Sequence, residues 1–275
     1  MTRNLPFNFL LNHHHPLLLS YSSNMPEPNT KERCSWLVCD KPGKLRCTRC
    51  RDATPQTLYC SAKCQKNDWI FHKAYCGKKA YTFDITLVAS SSPAITRTVA
   101  IPAWFTFRQL HYTLQYAMGP WQHTHMHEFS FNRLLSEFES PTQPGYWVRN
   151  EVDRGPHRLD TLAGRDERLK VGPAELYDDD KLDNWHPMLG RPPKKVPKER
   201  EKTLRLEVFD VNGRLYETVA KDGDMYPLIY TYDFGDNWEH ELIFKGETLA
   251  RAARPLFSFA QGCGPVEDCP RAGTK

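Results

Sequence analysis

Eight side chains of types that bind metal ions occur in four close pairs in the first third of the sequence. The pairs are Cys34 with Cys39, Cys47 with Cys50, Cys60 with Cys64, and His72 with Cys76. Zinc in structural sites takes four thiolate or imidazole ligands in a tetrahedron. Eight ligands therefore predict two zinc ions, with no position left open for water or a substrate. A structural role is favoured over a catalytic one.

The spacing restricts which pairs can share an ion. Cys60 and Cys64 are four positions apart, as are His72 and Cys76, so each pair can lie on one face of a helix. If residues 62–76 are mostly helical, Cys64 and Cys76 lie about 18 Å apart at 1.5 Å per residue, so they serve different ions. Each of the last two pairs must share its ion with one of the first two pairs. The distance does not decide whether the two groups are nested or interleaved along the chain.

The residues around these ligands resemble the MYND zinc finger. The resemblance rests on Cys39, Cys47, Cys50, Tyr59, Cys60, Cys64, Gln65, Asp68, Trp69, His72 and Cys76. MYND fingers are interleaved, which implies one zinc held by Cys34, Cys39, Cys60 and Cys64. The second zinc would be held by Cys47, Cys50, His72 and Cys76. The sequence departs from the family at one place, since four residues rather than two separate its first two cysteines.

The MYND resemblance also implies a partner, because these fingers bind short proline-containing peptides of other proteins. Trp69 is the candidate aromatic residue for such a peptide. Residues 31–80 carry twelve Lys or Arg against four Asp or Glu, a charge that could also attract phosphate backbones. A basic run is more often a solvated surface, so we expect a protein partner in preference to nucleic acid.

Two later stretches contain side chains able to bind a metal or transfer a proton. His125 and His127 alternate in "HTHMHEFSF", and Asp233, Asp236 and His240 crowd the turn of "YDFGDNWEH". Together they suggest an alternative function, a metal-dependent enzyme of unknown reaction with nucleic acid as one conceivable substrate. The simpler account is that the carboxylates shape a turn while the histidines cover a sheet beside aromatic residues. We assign no catalytic residue.

Hydrophobic periodicity predicts the elements that would position these residues. Ser61 and Thr106 are expected N-caps of two helices, and "YTFDITL" and "RTVAIP" alternate as half-buried strands do. "LIYTYDF" and "EHELIF" predict two strands around a tight turn, and the Asn-Gly pair at 212–213 predicts a hairpin. The fold class is a small two-zinc cross-brace finger plus an α+β domain with a mostly antiparallel sheet.

Three motifs resemble the plasmid pRiA4b ORF-3-like family over most of residues 81–270. They are "RQLHYTLQYAMGPWQHTHMHEF", "YTYDFGDNWEHEL" and "GCGPVEDC". The resemblance implies an α+β fold but no reaction, because the family has no settled activity. The sequence departs by a polar insertion around 135–202, which we expect to be partly disordered. It also stops soon after Cys269, where the family continues, which suggests a truncated C-terminus.

Composition sets the domain plan and the cellular setting. The 275 residues are 40% hydrophobic and carry a formal net charge of +4. We expect a disordered tail at 1–30, a finger at 31–79 and the α+β domain at 80–270, with Met25 as an alternative start. Seven of the nine cysteines fall in the finger, which argues against a disulfide framework, and no apolar run suffices to span a membrane. The sequence therefore predicts an intracellular, zinc-binding adaptor or regulatory protein.

Overall fold

The structure is a computed structural model. It describes residues 33–119, 121, 123–134, 165–177 and 196–264. All of these residues belong to one compact unit of the chain. The expected tail, the alternative start at Met25, most of the insertion and the C-terminal end lie outside the described residues. Among the described helices, none has the length and apolar character that crossing a membrane requires.

The finger contains little regular structure. Two-residue strands β1 (Leu45–Arg46) and β2 (Leu58–Tyr59) pair in antiparallel fashion, and the helix α1 (Ala62–His72) follows them. Ser61 caps this helix as predicted, because its hydroxyl accepts a hydrogen bond of 3.3 Å from the amide of Cys64. The fold of the finger must therefore depend on interactions other than long helices or sheets.

Strands dominate the remainder of the described chain. They are β3 (Lys79–Leu87), β4 (Thr96–Pro102), β5 (His127–Leu134), β6 (Arg165–Gly172), β7 (Lys198–Arg200), β8 (Ala220–Lys221), β9 (Asp224–Met225), β10 (Leu228–Tyr232), β11 (Trp238–Leu249) and β12 (Leu256–Gln261). Three helices accompany them, namely α2 (Phe107–Met118), α3 (Ala174–Tyr177) and α4 (Tyr216–Val219).

Eight of these strands form one large sheet in the order β12-β4-β3-β11-β10-β5-β6-β7, while β8 and β9 form a separate ribbon. Neighbouring strands of the large sheet are antiparallel except for β6 and β7. The prediction of a mostly antiparallel sheet is confirmed. The helical part is smaller than an α+β description suggests, since α3 and α4 have four residues each.

One face of the large sheet carries the hydrophobic core. In β3 the side chains of Tyr81, Phe83 and Ile85 are fully buried and alternate with partly exposed polar residues. Helix α2 packs its apolar stripe into the same cluster. Thr106 caps α2 as predicted, in a capping box with Gln109 of the kind that stabilises a helix by about 1 kcal/mol. The opposite face of the sheet is left polar.

The predicted hairpin at residues 212–213 is wrong. The chain instead forms a short 3-10 helix at Leu206–Phe209, then a turn and α4. Phe209 is buried, with its ring centroid 5.0 Å from that of Phe83, so core packing directs the apolar side chains of this segment to one side rather than alternating them. The glycine of the Asn-Gly pair is needed for another reason, since a Cβ there would lie 2.5 Å from the carbonyl oxygen of Glu207.

The strands around the predicted second site are confirmed in part. "LIYTYDF" and "EHELIF" contribute to β10 and β11, which meet at Tyr232 and Trp238 around a tight turn. The alternating stretch "HTHMHEFSF" is a strand only in its second half, because β5 begins at His127. His123 and His125 lie in the preceding loop, where His123 has a φ of 61° that no strand permits.

Part of the expected polar insertion belongs to the large sheet. β6 pairs with β5 on one side and with β7 on the other. Leu169 and Val171 of β6 are fully buried in the core. Residues 165–172 of the insertion therefore form a strand of the sheet, which the surrounding charged residues hide in the sequence because two of its side chains face the core.

A set of hydrogen bonds fixes the C-terminal end of α2. The guanidinium of Arg97 donates bonds of 2.6 to 3.0 Å to four carbonyl oxygens, those of Thr96, Ala117, Gln261 and Gly262. These bonds join the last turn of α2 to the end of β12. The chain after β12 approaches α2 so closely that a Cβ on Gly264 would collide with the carbonyl oxygen of Met118.

Replacing Gly264 with alanine should destabilise this junction. The added methyl group has no room beside the backbone of α2, so we expect the free energy of unfolding to fall by about 1 to 3 kcal/mol. Cys263→Ala is the matched control, because Cys263 is exposed and its loss should change that free energy by less than about 0.5 kcal/mol. Denaturant unfolding followed by circular dichroism compares the variants, and equal stability would contradict the close approach.

Candidate metal centre

The first group of ligand atoms belongs to Cys34, Cys39, Cys60 and Cys64. Their sulfur atoms all lie within 4.8 Å of one another. The Sγ atom of Cys60 lies 3.6 Å from that of Cys39 and 3.3 Å from that of Cys64. Sulfur atoms around one zinc with bonds of about 2.3 Å are roughly 3.8 Å apart, so the group has the dimensions of a tetrahedral site. Cys34 takes part despite the unusual spacing before Cys39.

The second group belongs to Cys47, Cys50, His72 and Cys76, all of which are buried. The Nε2 atom of His72 lies 3.4 Å from the sulfur of Cys47 and 3.6 Å from that of Cys50, and the sulfur atoms of Cys47 and Cys76 are 3.7 Å apart. A tight turn brings the first two thiols together, since the amide of Cys50 donates to the carbonyl of Cys47. A turn after α1 does the same for His72 and Cys76.

The two groups are interleaved along the chain. The first and third pairs of ligands form one group, and the second and fourth pairs form the other. Helix α1 separates Cys64 in its first turn from His72 at its last residue. The sequence spacing leaves a nested arrangement open, and the geometry excludes it. Each group therefore connects the stretch before β2 to the stretch after it.

Burial controls the protonation of the second group. It raises the pKa of the Cys50 thiol, and together with the contact to Cys47 it raises the pKa of Cys76 to about 12. Burial lowers the pKa of His72, so its ring is neutral at pH 7. A neutral imidazole can bind a metal through Nε2, whereas each thiol must lose a proton to do so.

The donor atoms indicate which metal would fit. Four sulfur atoms make up the first group, and three sulfur atoms with one imidazole nitrogen make up the second. Zinc takes both of these donor sets in closed tetrahedral sites. Within the described ranges, no other cluster of three or more His, Cys, Asp or Glu side chains has its ligand atoms this close together.

A buried hydrogen bond braces α1 against β2 beside the second group. The hydroxyl of Tyr59 donates to the carboxylate of Asp68 over 2.7 Å, and both side chains are buried. Burial and this carboxylate raise the pKa of Tyr59, so its hydroxyl keeps the donated proton. The rings of Tyr59 and Tyr75 stand edge-on to His72 at centroid distances of 6.3 and 4.9 Å. These contacts restrict the orientation of the imidazole.

The finger is attached to the large sheet by packing and a hydrogen bond, and ion pairs fix the strand that follows the finger. Leu249 at the end of β11 packs against the cysteine cluster. The amide of Ala250 donates to the carbonyl of Lys78 over 2.8 Å. Lys79, the first residue of β3, forms ion pairs of 3.0 Å with Asp210 and 2.9 Å with Glu247. The ligand groups therefore lie at a fixed place relative to the sheet.

Three consecutive apolar residues of α1 are exposed, and we call them the α1 surface. Trp69, Ile70 and Phe71 show 44%, 63% and 66% of their area to solvent. Lys66 and Lys73 are exposed as well, three positions before and four positions after Trp69, so they lie on the same side of the helix. Trp69 therefore exposes part of its ring between two positive charges, while the ring centroid lies 6.0 Å from that of the buried His72.

The second site considered from the sequence does not assemble around the turn. His125 lies against Asp233, with 3.5 Å between Nδ1 and Oδ2. The other carboxylate oxygen of Asp233 accepts bonds from the amides of Gly235 and Asp236, so this side chain shapes the turn. His240 is fully buried, and burial lowers its pKa to about 4. These positions do not converge on one point as metal ligands would.

His127 belongs to a different cluster that the sequence analysis missed. Its Nε2 atom lies 2.7 Å from the carboxylate of Glu201, and its ring stacks on that of His111 at 3.6 Å. The Nδ1 atom of His111 lies 2.8 Å from the hydroxyl of Tyr230, and burial with the nearby His127 lowers the pKa of His111 to about 2. The sequence could have indicated this cluster, because His111 lies on the apolar stripe of α2. The described residues therefore do not support the alternative of a metal-dependent enzyme.

Comparison with known proteins matches the two parts of the chain to different families. Residues 32–76 match the family described as MYND finger. A segment of 38 residues is 50% identical to Tudor domain-containing protein 1 of Danio rerio, and it covers 14% of this chain and 3% of that protein. The chain thus spans a very small part of that relative.

The chain also matches a second family and a solved structure of low sequence identity. The crystal structure of a protein of unknown function from Methanosarcina mazei Go1 is 20% identical, with a TM-score of 0.41, and the match covers 70% of this chain and 74% of that one. Residues 79–274 match the family described as plasmid pRiA4b ORF-3-like protein, which is well over half of the 275 residues. The chain therefore belongs to the plasmid pRiA4b ORF-3-like family and carries a MYND finger before the family domain.

Proposed function

We propose that the finger binds two zinc ions and uses the α1 surface to hold a peptide of a partner protein, so that the chain acts as an adaptor. The first ion would lie among Cys34, Cys39, Cys60 and Cys64, and the second among Cys47, Cys50, His72 and Cys76. Both groups have the donor atoms and the dimensions that zinc requires. A MYND finger is a zinc-binding module of protein interaction, which agrees with this function.

The observation that carries the proposal is that the α1 surface is exposed, while each neighbouring ligand group consists of four protein side chains. Every ligand position is filled by the protein, so the metal has no open position for chemistry. The exposed apolar residues lie instead on the outside of the same helix that supplies Cys64 and His72. Zinc would thus hold the helix in place, and the helix would present its side chains to a partner.

The positive charges around Trp69 indicate which kind of peptide the partner would present. A proline ring packs well on the face of an aromatic side chain, and proline-containing segments lose little entropy on binding. Lys66 and Lys73 flank Trp69 on its own side of the helix. We therefore infer a peptide that contains proline with an acidic residue nearby. Nucleic acid is a weaker candidate, because the three exposed side chains of the α1 surface are apolar.

The family domain would serve as the second part of the adaptor. The packing of Leu249 on the cysteine cluster and the hydrogen bond from Ala250 to Lys78 hold the finger against the end of β11. A peptide bound to α1 would then keep a fixed position relative to the sheet. An adaptor needs this geometry if two partners are to be held side by side.

Zinc content tests the ligand groups directly. Native mass spectrometry of the full chain should find two zinc ions. In His72→Ala we expect the count to fall to one and protease cleavage to rise within residues 34–76, because the second group loses a ligand and zinc supplies much of the folding free energy of so small a finger. His123→Ala is the control, since His123 is an exposed histidine outside both groups. Two retained ions and an unchanged cleavage pattern in His72→Ala would contradict the assignment.

Acid should remove the metal from the second group. Burial raises the pKa of Cys50 and Cys76, so protons compete with zinc for these thiols, and the competition favours protons more as the pH falls. The apparent zinc affinity should therefore decrease roughly tenfold or more for each unit of pH between 7 and 5, because at least one proton must leave on binding. Titration with a chromophoric chelator measures this dependence, and an affinity independent of pH would contradict the thiolate site.

Binding of proline-containing peptides tests the α1 surface. Fluorescence anisotropy with labelled ten-residue peptides that combine a central proline with acidic neighbours should show binding that weakens at least tenfold in Trp69→Ala, as expected for an aromatic hot spot. Tyr116→Ala is the matched control, because Tyr116 is an exposed aromatic residue of α2, with 81% of its area accessible. Equal weakening in both variants, or none in either, would contradict a peptide site at Trp69.

A further inference from the structure

The two ligand groups differ in how far solvent reaches their sulfur atoms. In the second group every ligand is buried, and none exposes more than 8% of its area. In the first group Cys34 and Cys64 are buried, whereas Cys39 and Cys60 are partly exposed. A small oxidant that diffuses in water can therefore reach two thiols of the first group, while the thiols of the second group are covered.

The loop between the first two cysteines leaves the first group open. Four residues separate Cys34 from Cys39, and two of them, Leu37 and Val38, expose 94% and 72% of their area. Their side chains face solvent and do not cover the sulfur atoms. The amide of Cys39 donates to the carbonyl of Trp36 over 2.9 Å, so the backbone turns tightly just before this ligand. The wide spacing of the first two cysteines thus accompanies an exposed ligand.

Aromatic rings and a close backbone approach cover the second group. The rings of Tyr59 and Tyr75 stand edge-on to His72. Gly77 follows the last ligand and packs so closely on Arg49 that an added Cβ would lie 3.2 Å from the Cβ of that arginine. One of the four ligands is an imidazole, which cannot enter a disulfide. The second group is therefore harder to reach and offers one thiol fewer.

Access to solvent is the property that distinguishes the thiols of the two groups. The Sγ atom of Cys60 lies 3.6 Å from that of Cys39 and 3.3 Å from that of Cys64. A disulfide bond is about 2 Å long, so a shift of roughly 1.5 Å would join Cys60 to either neighbour. Spacing alone does not separate the groups, since the sulfur atoms of Cys47 and Cys76 are 3.7 Å apart. Protonation does not separate them either, because every zinc-bound thiol has lost its proton. Exposure then decides which thiolate an oxidant attacks.

We propose that Cys60 is a site of oxidation by peroxides, and that the first ligand group loses its metal in this reaction while the second group keeps its own. The Cys60 thiolate attacks one oxygen of hydrogen peroxide, the O–O bond breaks, and with a proton from solvent the products are a sulfenic acid and water. The thiolate of Cys39 or Cys64 then attacks the Cys60 sulfur. The S–O bond breaks, and the hydroxide that leaves takes up a proton to form a second water. The two thiolates lose two electrons, and the peroxide gains them.

The reaction would release only one end of α1. The first group ties the loop of residues 34–39 to the start of this helix, and the second group holds its last turn through His72. The α1 surface lies directly before His72, at the end that the second group holds. Oxidation would therefore free the loop with Leu37 and Val38 and leave the α1 surface in place. The inference rests on the proposed function in one respect, because it requires that both groups bind zinc.

Zinc release from the full, zinc-loaded chain tests the proposal. Hydrogen peroxide is added in excess, and a chromophoric chelator records the metal that leaves. We expect one zinc ion per chain to leave in a fast phase, and the second to leave at least tenfold more slowly. Mass spectrometric mapping after the fast phase should find a disulfide that joins Cys60 to Cys39 or Cys64. Release of both ions at one rate, or a disulfide that includes Cys47, Cys50 or Cys76, would overturn the proposal.

Two matched variants test the role of Cys60 among the exposed ligands. Cys60→His keeps four ligands in the first group but removes the attacking thiol, so we expect the fast phase to slow at least tenfold. Cys39→His is the control, because Cys60 keeps Cys64 as a neighbour and the fast phase should remain. Equal rates in the two variants would overturn the assignment to Cys60. If either variant does not hold zinc, the disulfide mapped in the unchanged chain decides the question.

The zinc count before peroxide is added separates this inference from the proposed function. Two ions at the start followed by release of both at one rate would contradict the inference alone. Fewer than two ions at the start would contradict the proposed function and the inference with it.

Discussion

Buried thiols occupy the place that a hydrophobic core holds in a larger domain. In the finger, six of the eight ligands are buried, and they are joined by Ala53, Leu58, Tyr59 and Asp68. Four thiols that face one another gain little from the hydrophobic effect, and a segment of this size has few other apolar residues to bury. Metal coordination, which contributes roughly 10 to 16 kcal/mol in zinc-finger peptides, is the interaction on which the arrangement of α1, β1 and β2 would depend.

The arrangement of the metal ligands also affects the large sheet, through the strands that border the finger. β3 begins two residues after Gly77, and its first residue pairs with Leu249 at the end of β11. Leu249 also packs on the cysteine cluster, so one side chain belongs both to the sheet and to the surroundings of the ligands. The position of the finger relative to the sheet is a consequence of this shared boundary.

The sequence predicts those parts of the structure that local chemistry determines. Ligand types and spacing identify both groups of metal-binding residues, although the choice of interleaved pairing needed a family resemblance. β3, β4, α2 and the β10–β11 pair follow from periodicity, because each lies on the core with one face. The Asn-Gly pair at 212–213 failed as a hairpin signal since burial of Phe209 outweighs the local turn preference. β6 was missed because only Leu169 and Val171 mark its core face. The contact of Glu201 with His127 joins positions 74 residues apart, and no local pattern encodes it.

The chain between α3 and β7 leaves and re-enters the fold at neighbouring points. Tyr177 at the end of α3 bonds to Glu128, while the carbonyl of Pro197 accepts from the amide of Lys170 on β6. Glu201 then anchors the returning chain to His127 in the core. Both ends of residues 178–195 are thus tied to the adjacent strands β5 and β6, so cleavage of the chain between them would leave each new end attached to the sheet.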